Sequence, residues 1–325
     1  MSVHAQTRKC THPYTDTNTQ TNLDIWRVSA RTIDVRVSPS LAPGLRAIIP
    51  SSASVRTFVS NVQDLVDASS PVPTTEPPEG GWGVESIASP FHDGYHVLED
   101  VYGFGDALAE VFGLRSFEVG TTAEGRAIRA WSASGNTTEP GDGDGGGDGG
   151  GDDGDDGGDG DDGSDTTRLE DKYEIVIQAG QHAREWVSTS AALFFLHSLL
   201  LDAAADATSP AAKLLKVFTI TVIPVVNPDG FAYSHDHSRM WKKNRQEVGG
   251  LLCKGIDLNG NWGYQFQPSR LACSDSYKGS YAFEALETRA VANYLANGTT
   301  PEGQPRAHRV KAFIDLHSYG QLCKL

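Results

Sequence analysis

Two imidazoles and a carboxylate are the side chains of this sequence best spaced to share a metal ion. They are His182 and Glu185, in the run His182-Ala183-Arg184-Glu185, and His317. A histidine and an acid three residues apart can converge on one ion from a single turn of chain, and both ligand types suit Zn²⁺. Alone, His-x-x-Glu is a weak signal. With ten histidines and glutamate at about 6% usage, about half a match is expected by chance. A second copy, His96-Val97-Leu98-Glu99, is indeed present. It falls inside an amphipathic stretch with no strand before it, and reads as surface. His182 instead follows a run that reads as a strand, Tyr173 to Ile177, and His317 closes another, Val310 to Leu316. A lone histidine at a strand end is more often a structural residue; joined to His-x-x-Glu it becomes a third ligand. Three protein ligands with one open position is the arrangement of a catalytic zinc.

Ligands at strand ends need a sheet to hold them, and the surrounding sequence supplies one. Arg184 to Leu201 reads as a helix, Val217 to Val226 as an apolar strand and Phe283 to Leu295 as a helix. Strands alternating with helices place the chain in the α/β class, with a mixed, mostly parallel sheet and helices on both faces. In such sheets chemistry gathers at the carboxyl ends of the strands. Upstream, Leu98, Val101, Tyr102, Leu108, Val111 and Phe112 recur at helical spacing within Tyr95 to Phe112, and Arg115 to Ser132 reads as two strands around Glu124-Gly125. Earlier still, Ile25 to Val28 and Ile33 to Val37 alternate like strands, and Ser60 to Ala68 looks helical. The expected organisation is a disordered start (1–21), a small α+β unit (22–73), a Pro-rich linker (74–90) and a main domain (91–325) with a Gly/Asp insert at 136–167.

Composition excludes several function classes. The formal net charge is −15, but the stretch Gly141 to Asp165 carries eleven aspartates, which leaves about −4 for the rest. No basic stripe marks a nucleic-acid binder. The Gly/Asp stretch lacks the closing glutamate and flanking helices of an EF-hand, and the apolar residue per period of a calcium β-roll. It reads as a solvated, flexible insertion. No apolar run of roughly 18 residues is evident, so no membrane partner is expected. The start of the chain lacks the apolar core of a secretory signal. Asn136-Thr137-Thr138 and Asn297-Gly298-Thr299 would accept glycans on a secreted chain. Four cysteines, Cys10, Cys253, Cys273 and Cys323, show no CxxC spacing. Two cysteines twenty residues apart are, on spacing alone, equally readable as free buried thiols.

Gln181-His182-Ala183-Arg184-Glu185-Trp186-Val187-Ser188 resembles the first zinc motif of the zinc carboxypeptidases of the carboxypeptidase A/B type. Four further blocks follow in that family's order: Asn227-Pro228-Asp229-Gly230, Met240-Trp241-Lys242-Lys243-Asn244-Arg245, Gly255-Ile256-Asp257-Leu258-Asn259, and Leu316-His317-Ser318-Tyr319 with Gln321. The resemblance runs from about Phe91 to Leu322. Less strongly, the unit from Asp24 to about Pro73 resembles a shortened inhibitory pro-segment. The resemblance implies one Zn²⁺ held by His182, Glu185 and His317, with Asp257 hydrogen-bonded to a zinc-binding histidine to fix its tautomer. It places Arg184 and Tyr319 along the subsite before the scissile bond, and Asn259 on the substrate's terminal carboxylate. It pairs Cys253 with Cys273 in a disulfide, hence an oxidising compartment, secreted or vacuolar. Partners would be peptide or protein C-termini met by a monomer, with no nucleic acid and no membrane.

Four departures from the family's pattern predict an impaired enzyme. Lys242 stands where the family has its oxyanion arginine, so the bidentate fork is lost. Gly260 stands where an arginine would neutralise the substrate carboxylate. The family's general-base glutamate and a substrate-capping tyrosine come later than Leu325, and Glu284 and Glu287, on an expected surface helix, are poor substitutes. The last strands would also be missing, leaving His317 on an open edge. Lys242 is therefore the one weak oxyanion candidate. The alternative expectation is a non-catalytic zinc- and peptide-binding relative, like the inactive fungal branch linked to the cell wall.

Overall fold

The computed structural model describes residues 2–6, 24–28, 31–69, 81–135, 173–249, 253–297 and 309–319. The expected insert, Cys10 and Cys323 lie outside the described residues. The first sheet contains β1 (Ser2–Gln6), β2 (Asp24–Val28), β3 (Thr32–Arg36) and β4 (Ser54–Val59) in the order β2-β3-β1-β4, all antiparallel. α1 (Ala42–Ile48) and α2 (Val62–Ser69) complete this unit. Residues 2–6 are thus a strand between β3 and β4, not part of a disordered start. A short polar stretch gives no burial signal, and its pairing comes from neighbours distant in sequence. Residues 7–21 lie outside the described residues.

The chain then enters the main core earlier than the linker expectation allowed. Trp82 and Val84 are buried in it, and Ser89 is buried with its hydroxyl donating to the Trp82 carbonyl. So 81–90 is packed structure; 70–80 lie outside the described residues. α3 (Leu98–Phe112) buries Val101, Phe104 and Leu108 at helical spacing and stops at Gly113, whose φ of 68° is the left-handed cap that glycine adopts at least cost. Gly105 of α3 lies so close to the Trp131 ring that a Cβ there would sit 2.5 Å from it, so this glycine sets the approach of helix to sheet. His96 precedes α3 rather than lying inside it. It stacks on Phe91 at 4.2 Å and bonds the Phe91 carbonyl at 2.9 Å. Within the second His-x-x-Glu, His96 is therefore half-buried packing, while Glu99 is exposed as expected.

The second sheet holds β5 (Arg115–Thr121), β6 (Ala127–Ala133), β7 (Tyr173–Gln178), β8 (Phe218–Ile223) and β9 (Arg309–Asp315), in the order β5-β6-β8-β7-β9. β5–β6 and β6–β8 are antiparallel, while β7–β8 and β7–β9 are parallel. The sheet is mixed as expected, with parallel and antiparallel pairs balanced among the described strands. Alternation sends Trp131, Ala133, Ile177, Ile220 and Val222 to one face and Ile128, Ala130, Val176 and Ile223 to the other. The first face packs on α3, α4 (Trp186–Ala205) and α5 (Pro210–Val217); the second packs on α7 (Leu286–Asn297). Between β8 and the loop that follows lies α6 (Pro228–Asp236). α4 is 20 residues long and apolar enough, by length and composition, to cross a membrane. That corrects the reading that no such run exists, although here Leu193, Leu196 and Leu200 are spent on the core.

Candidate metal centre

The carboxyl end of β7 turns sharply at Gly180, where φ is +64° and a Cβ would press within 3.1 Å of Val225 Cα. Any side chain would be strained there, and the turn delivers His182 beside the end of β8. Ala183 N donates to the Lys242 carbonyl at 3.0 Å, and Glu185 N to the His182 carbonyl at 3.1 Å. Glu185 has φ −91° and ψ 57°, so it lies on the turn before α4, not in the helix. The helix expected from Arg184 begins two residues later, at Trp186. That turn, not a helical face, brings His182 and Glu185 together.

β9 supplies the other flank. Leu316 N donates to the Gln178 carbonyl at 2.8 Å, extending the β7–β9 ladder one residue and setting His317 just past it. His182, Glu185 and His317 each offer a ligand atom, and these atoms lie within 4.8 Å of one another. His182 Nδ1 is 2.8 Å from Glu185 Oε1, and His317 Nδ1 is 2.9 Å from Glu185 Oε2. Ser318 N also donates to Oε2 at 3.0 Å. Burial alone would push the Glu185 carboxyl up; the two histidines outweigh it through charge and hydrogen bonds and hold it at about 2. Burial would lower His317, but Asp315 and Glu185 raise it to about 10. Two imidazole nitrogens and a carboxylate oxygen at this spacing fit a zinc ion, because a divalent cation can take the place of the protons now shared among them.

The remaining expected residues divide into those that reach the cluster and those that do not. Asp257 Oδ1 meets His182 Nε2 at 3.1 Å, which turns Nδ1 toward Glu185. Lys242 Nζ donates to Asp257 Oδ2 at 2.7 Å, so its ammonium is committed to that carboxylate. Burial opposes ionisation of Asp257, but Lys242 and His182 keep its pKa well below the usual range. Cys253 and Cys273 are bonded and close the loop that carries Asp257 and Asn259. Asn259 is exposed on the turn Leu258–Gly260. Gly260 lies under the Lys278 stem, whose Cγ would be 2.5 Å from an added Cβ. Tyr319 is half exposed, with its hydroxyl donating to Asp34 Oδ2 at 3.4 Å and its ring edge-on to Trp26. Arg184 is half-buried, and its carbonyl accepts from Arg239 at 2.7 Å.

The supporting roles of three residues escaped the sequence reading. Asn227 caps α6 and donates to the Gln181 and Lys243 carbonyls at 3.2 and 3.1 Å, tying the ligand turn to the Lys242 loop. Glu287 is fully buried, not on a surface helix. It accepts from Asn244 Nδ2 at 2.7 Å, and Asn244 Oδ1 in turn accepts from Ile256 N beside Asp257. Burial raises Glu287 to about 7. The third residue is Asp315, whose Oδ2 lies 2.8 Å from His317 Nε2.

The sheet thus gathers two histidines and a glutamate at its strand ends, with an aspartate behind one histidine. Residues 110–324 match the family model for zinc carboxypeptidases, and the chain belongs to that family. Among curated relatives it is 30% identical to the inactive metallocarboxypeptidase ecm14 of Talaromyces marneffei, over 92% of this chain and 47% of that protein. It is likewise 30% identical to the inactive metallocarboxypeptidase ECM14 of Trichophyton verrucosum, over 92% of this chain and 49% of that one. The chain spans about half the length of the curated relatives it matches. Two solved structures share the fold, each at 23% identity over 98% of this chain. They are thrombin activatable fibrinolysis inhibitor (TM-score 0.69, 72% of that chain) and carboxypeptidase A from Helicoverpa armigera (TM-score 0.68, 70% of that chain).

Proposed function

We propose that this chain holds one zinc ion through His182 Nδ1, Glu185 and His317 Nδ1 and receives peptide or protein C-termini there, with weak hydrolysis at most. The observation that carries the reading is the convergence of three ligand atoms within 4.8 Å at the carboxyl ends of β7 and β9. Zinc bound there would polarise a carbonyl and acidify a bound water. The chain's own residues set the limits. Asp257 orients His182, and Glu185 spans both imidazoles. Lys242 would have to leave Asp257 to reach a developing oxyanion, and losing such a donor costs roughly 10²–10³ in rate. Gly260 offers a substrate carboxylate no charge, which weakens selection of a free C-terminus. Arg184, Asn259 and Tyr319 remain the polar side chains proposed for substrate contact.

A second reading, a peptide-binding member without turnover, draws support from the same Lys242–Asp257 pair and from relatives named inactive. The Cys253–Cys273 bond supports maturation in an oxidising compartment. Metal analysis of the purified chain, run beside release of C-terminal residues from peptides, tests both readings. One zinc per chain with turnover supports the enzyme, and one zinc without turnover supports the binding member. Absence of zinc at saturating metal removes both.

A further inference from the structure

We infer that Asp315 is the positioning residue for the third ligand: it holds the His317 ring so that Nδ1 is the nitrogen offered to the metal. This rests on the zinc reading above and extends it to a residue with no role so far. Strand spacing puts residues 315 and 317 on one side of the chain as β9 ends. Asp315 Oδ2 meets His317 Nε2 at 2.8 Å, while Nδ1 faces Glu185 Oε2 at 2.9 Å. A ring bonded to a carboxylate through one nitrogen carries a proton there and presents the lone pair of the other.

Asp315 is itself fixed in place. Its Oδ2 accepts from the Gln181 side chain, and Gln181 Oε1 accepts from Trp262 Nε1 at 3.0 Å. Gln181 is almost wholly buried and directly precedes His182. The residue next to one ligand therefore anchors the carboxylate that supports the other. The remaining oxygen, Oδ1, is buried with no hydrogen-bond partner among the described residues. A part-buried carboxylate with one oxygen left unsatisfied is costly unless positive charge lies near it. A divalent ion on the far side of the imidazole is such a cation.

The two supporting aspartates are not equivalent. Asp257 also binds Lys242, which cancels its charge locally. Asp315 has His317 as its cationic partner among the described residues. Its charge remains available to strengthen the imidazole as a donor.

Zinc affinity of the 325-residue chain, measured by competition with a chromophoric chelator, tests the assignment. Asp315→Asn keeps the size and removes the charge, and should weaken zinc about 10–100-fold, the usual effect of losing such a partner. Circular dichroism of the metal-free variant should match the parent. Cobalt(II) gives a readout that a purely structural role would leave alone: the visible bands of the loaded Asn variant should shift. Asp315→Glu should recover part of the affinity. If the Asn variant does not fold, Trp262→Phe removes the N–H that holds Gln181 while keeping an aromatic ring against Phe283 and Phe313, and should give a smaller loss in the same direction. Parent-like zinc affinity and an unchanged cobalt spectrum in Asp315→Asn overturn the inference and leave the zinc site standing. A parent chain that binds no zinc overturns both.

Discussion

The two histidines of the cluster are held by different means. His182 is buried on a turn locked between β7 and α4, and behind it Asp257 and Lys242 form a charge-balanced pair. His317 lies two residues past β9, keeps 29% of its side chain exposed, and faces two carboxylates, Asp315 and Glu185. The first flank is complete without an ion. The second carries surplus negative charge, and in the metal-free protein a proton on His317 balances it. The fold therefore builds one half of the site and leaves the other half to be finished by the cation.

The largest expected effect comes from removing what the flanks share. Glu185→Ala deletes the acceptor for His182, His317 and Ser318 at once. Zinc affinity should fall by more than the roughly 100-fold that loss of an outer partner produces, read by chelator competition. A smaller drop would mean the flanks do not meet at this carboxylate.

Next comes the contrast between the aspartates. Asp257→Asn leaves the half-buried Lys242 ammonium without its carboxylate partner, and should cost about 3–5 kcal/mol of folding free energy. Asp315→Asn, nearer the surface, should cost about 1 kcal/mol or less. Urea unfolding of the two metal-free variants measures the difference, and equal costs would erase the distinction between a prebuilt and an ion-dependent flank.

A pH-dependent effect sharpens the picture of the buried flank from below. Glu287 supports Asn244, which holds Ile256 beside Asp257. Its folded pKa, about 7, lies above the unfolded value near 4.5. The protonated carboxyl favours the fold fully below pH 4.5, and that contribution is lost as pH rises through about 7. Glu287→Gln keeps the acceptor without the charge. It should stabilise the protein by about 3 kcal/mol at pH 8, at 1.36 kcal/mol per pKa unit, with the gain vanishing toward pH 4. Thermal melts across that range decide the matter; a gain that is flat with pH would place the charge elsewhere.

Much of this architecture could be read from residue order, for identifiable reasons. β7 and β8 are apolar runs bounded by polar turns, and a strand covered on both faces needs little else; β9 mixes apolar and charged residues and leaves Phe313 and Ile314 exposed. His182, Glu185 and His317 stood out because strand ends are where sheets expose reactive groups. Other features were hidden by tertiary context. β1 is polar, and its partners lie tens of residues away. Asn227-Pro228-Asp229-Gly230 stood out only as a block of the family resemblance, yet Asn227 at the cap and Pro228 in the first turn begin α6. Glu287, Thr288, Val291 and Tyr294 form the buried stripe of α7, and a glutamate at its head looks solvent-facing to any apolar count. Asp315, two residues before a ligand, was visible but was absorbed into the strand that carries it.

β9 stands at one end of the described strand order and pairs with β7 alone among them. An ion bound at the tips of both strands would join positions 132 residues apart in sequence, from Glu185 to His317. Such a bond acts as a clasp on the outermost parallel pair, restricting the unfolded chain as any long-range crosslink does. Stripping the metal should then free the backbone amides at the tips of β7 and β9 to exchange with solvent, while those in the α3–α4 layer keep their protection.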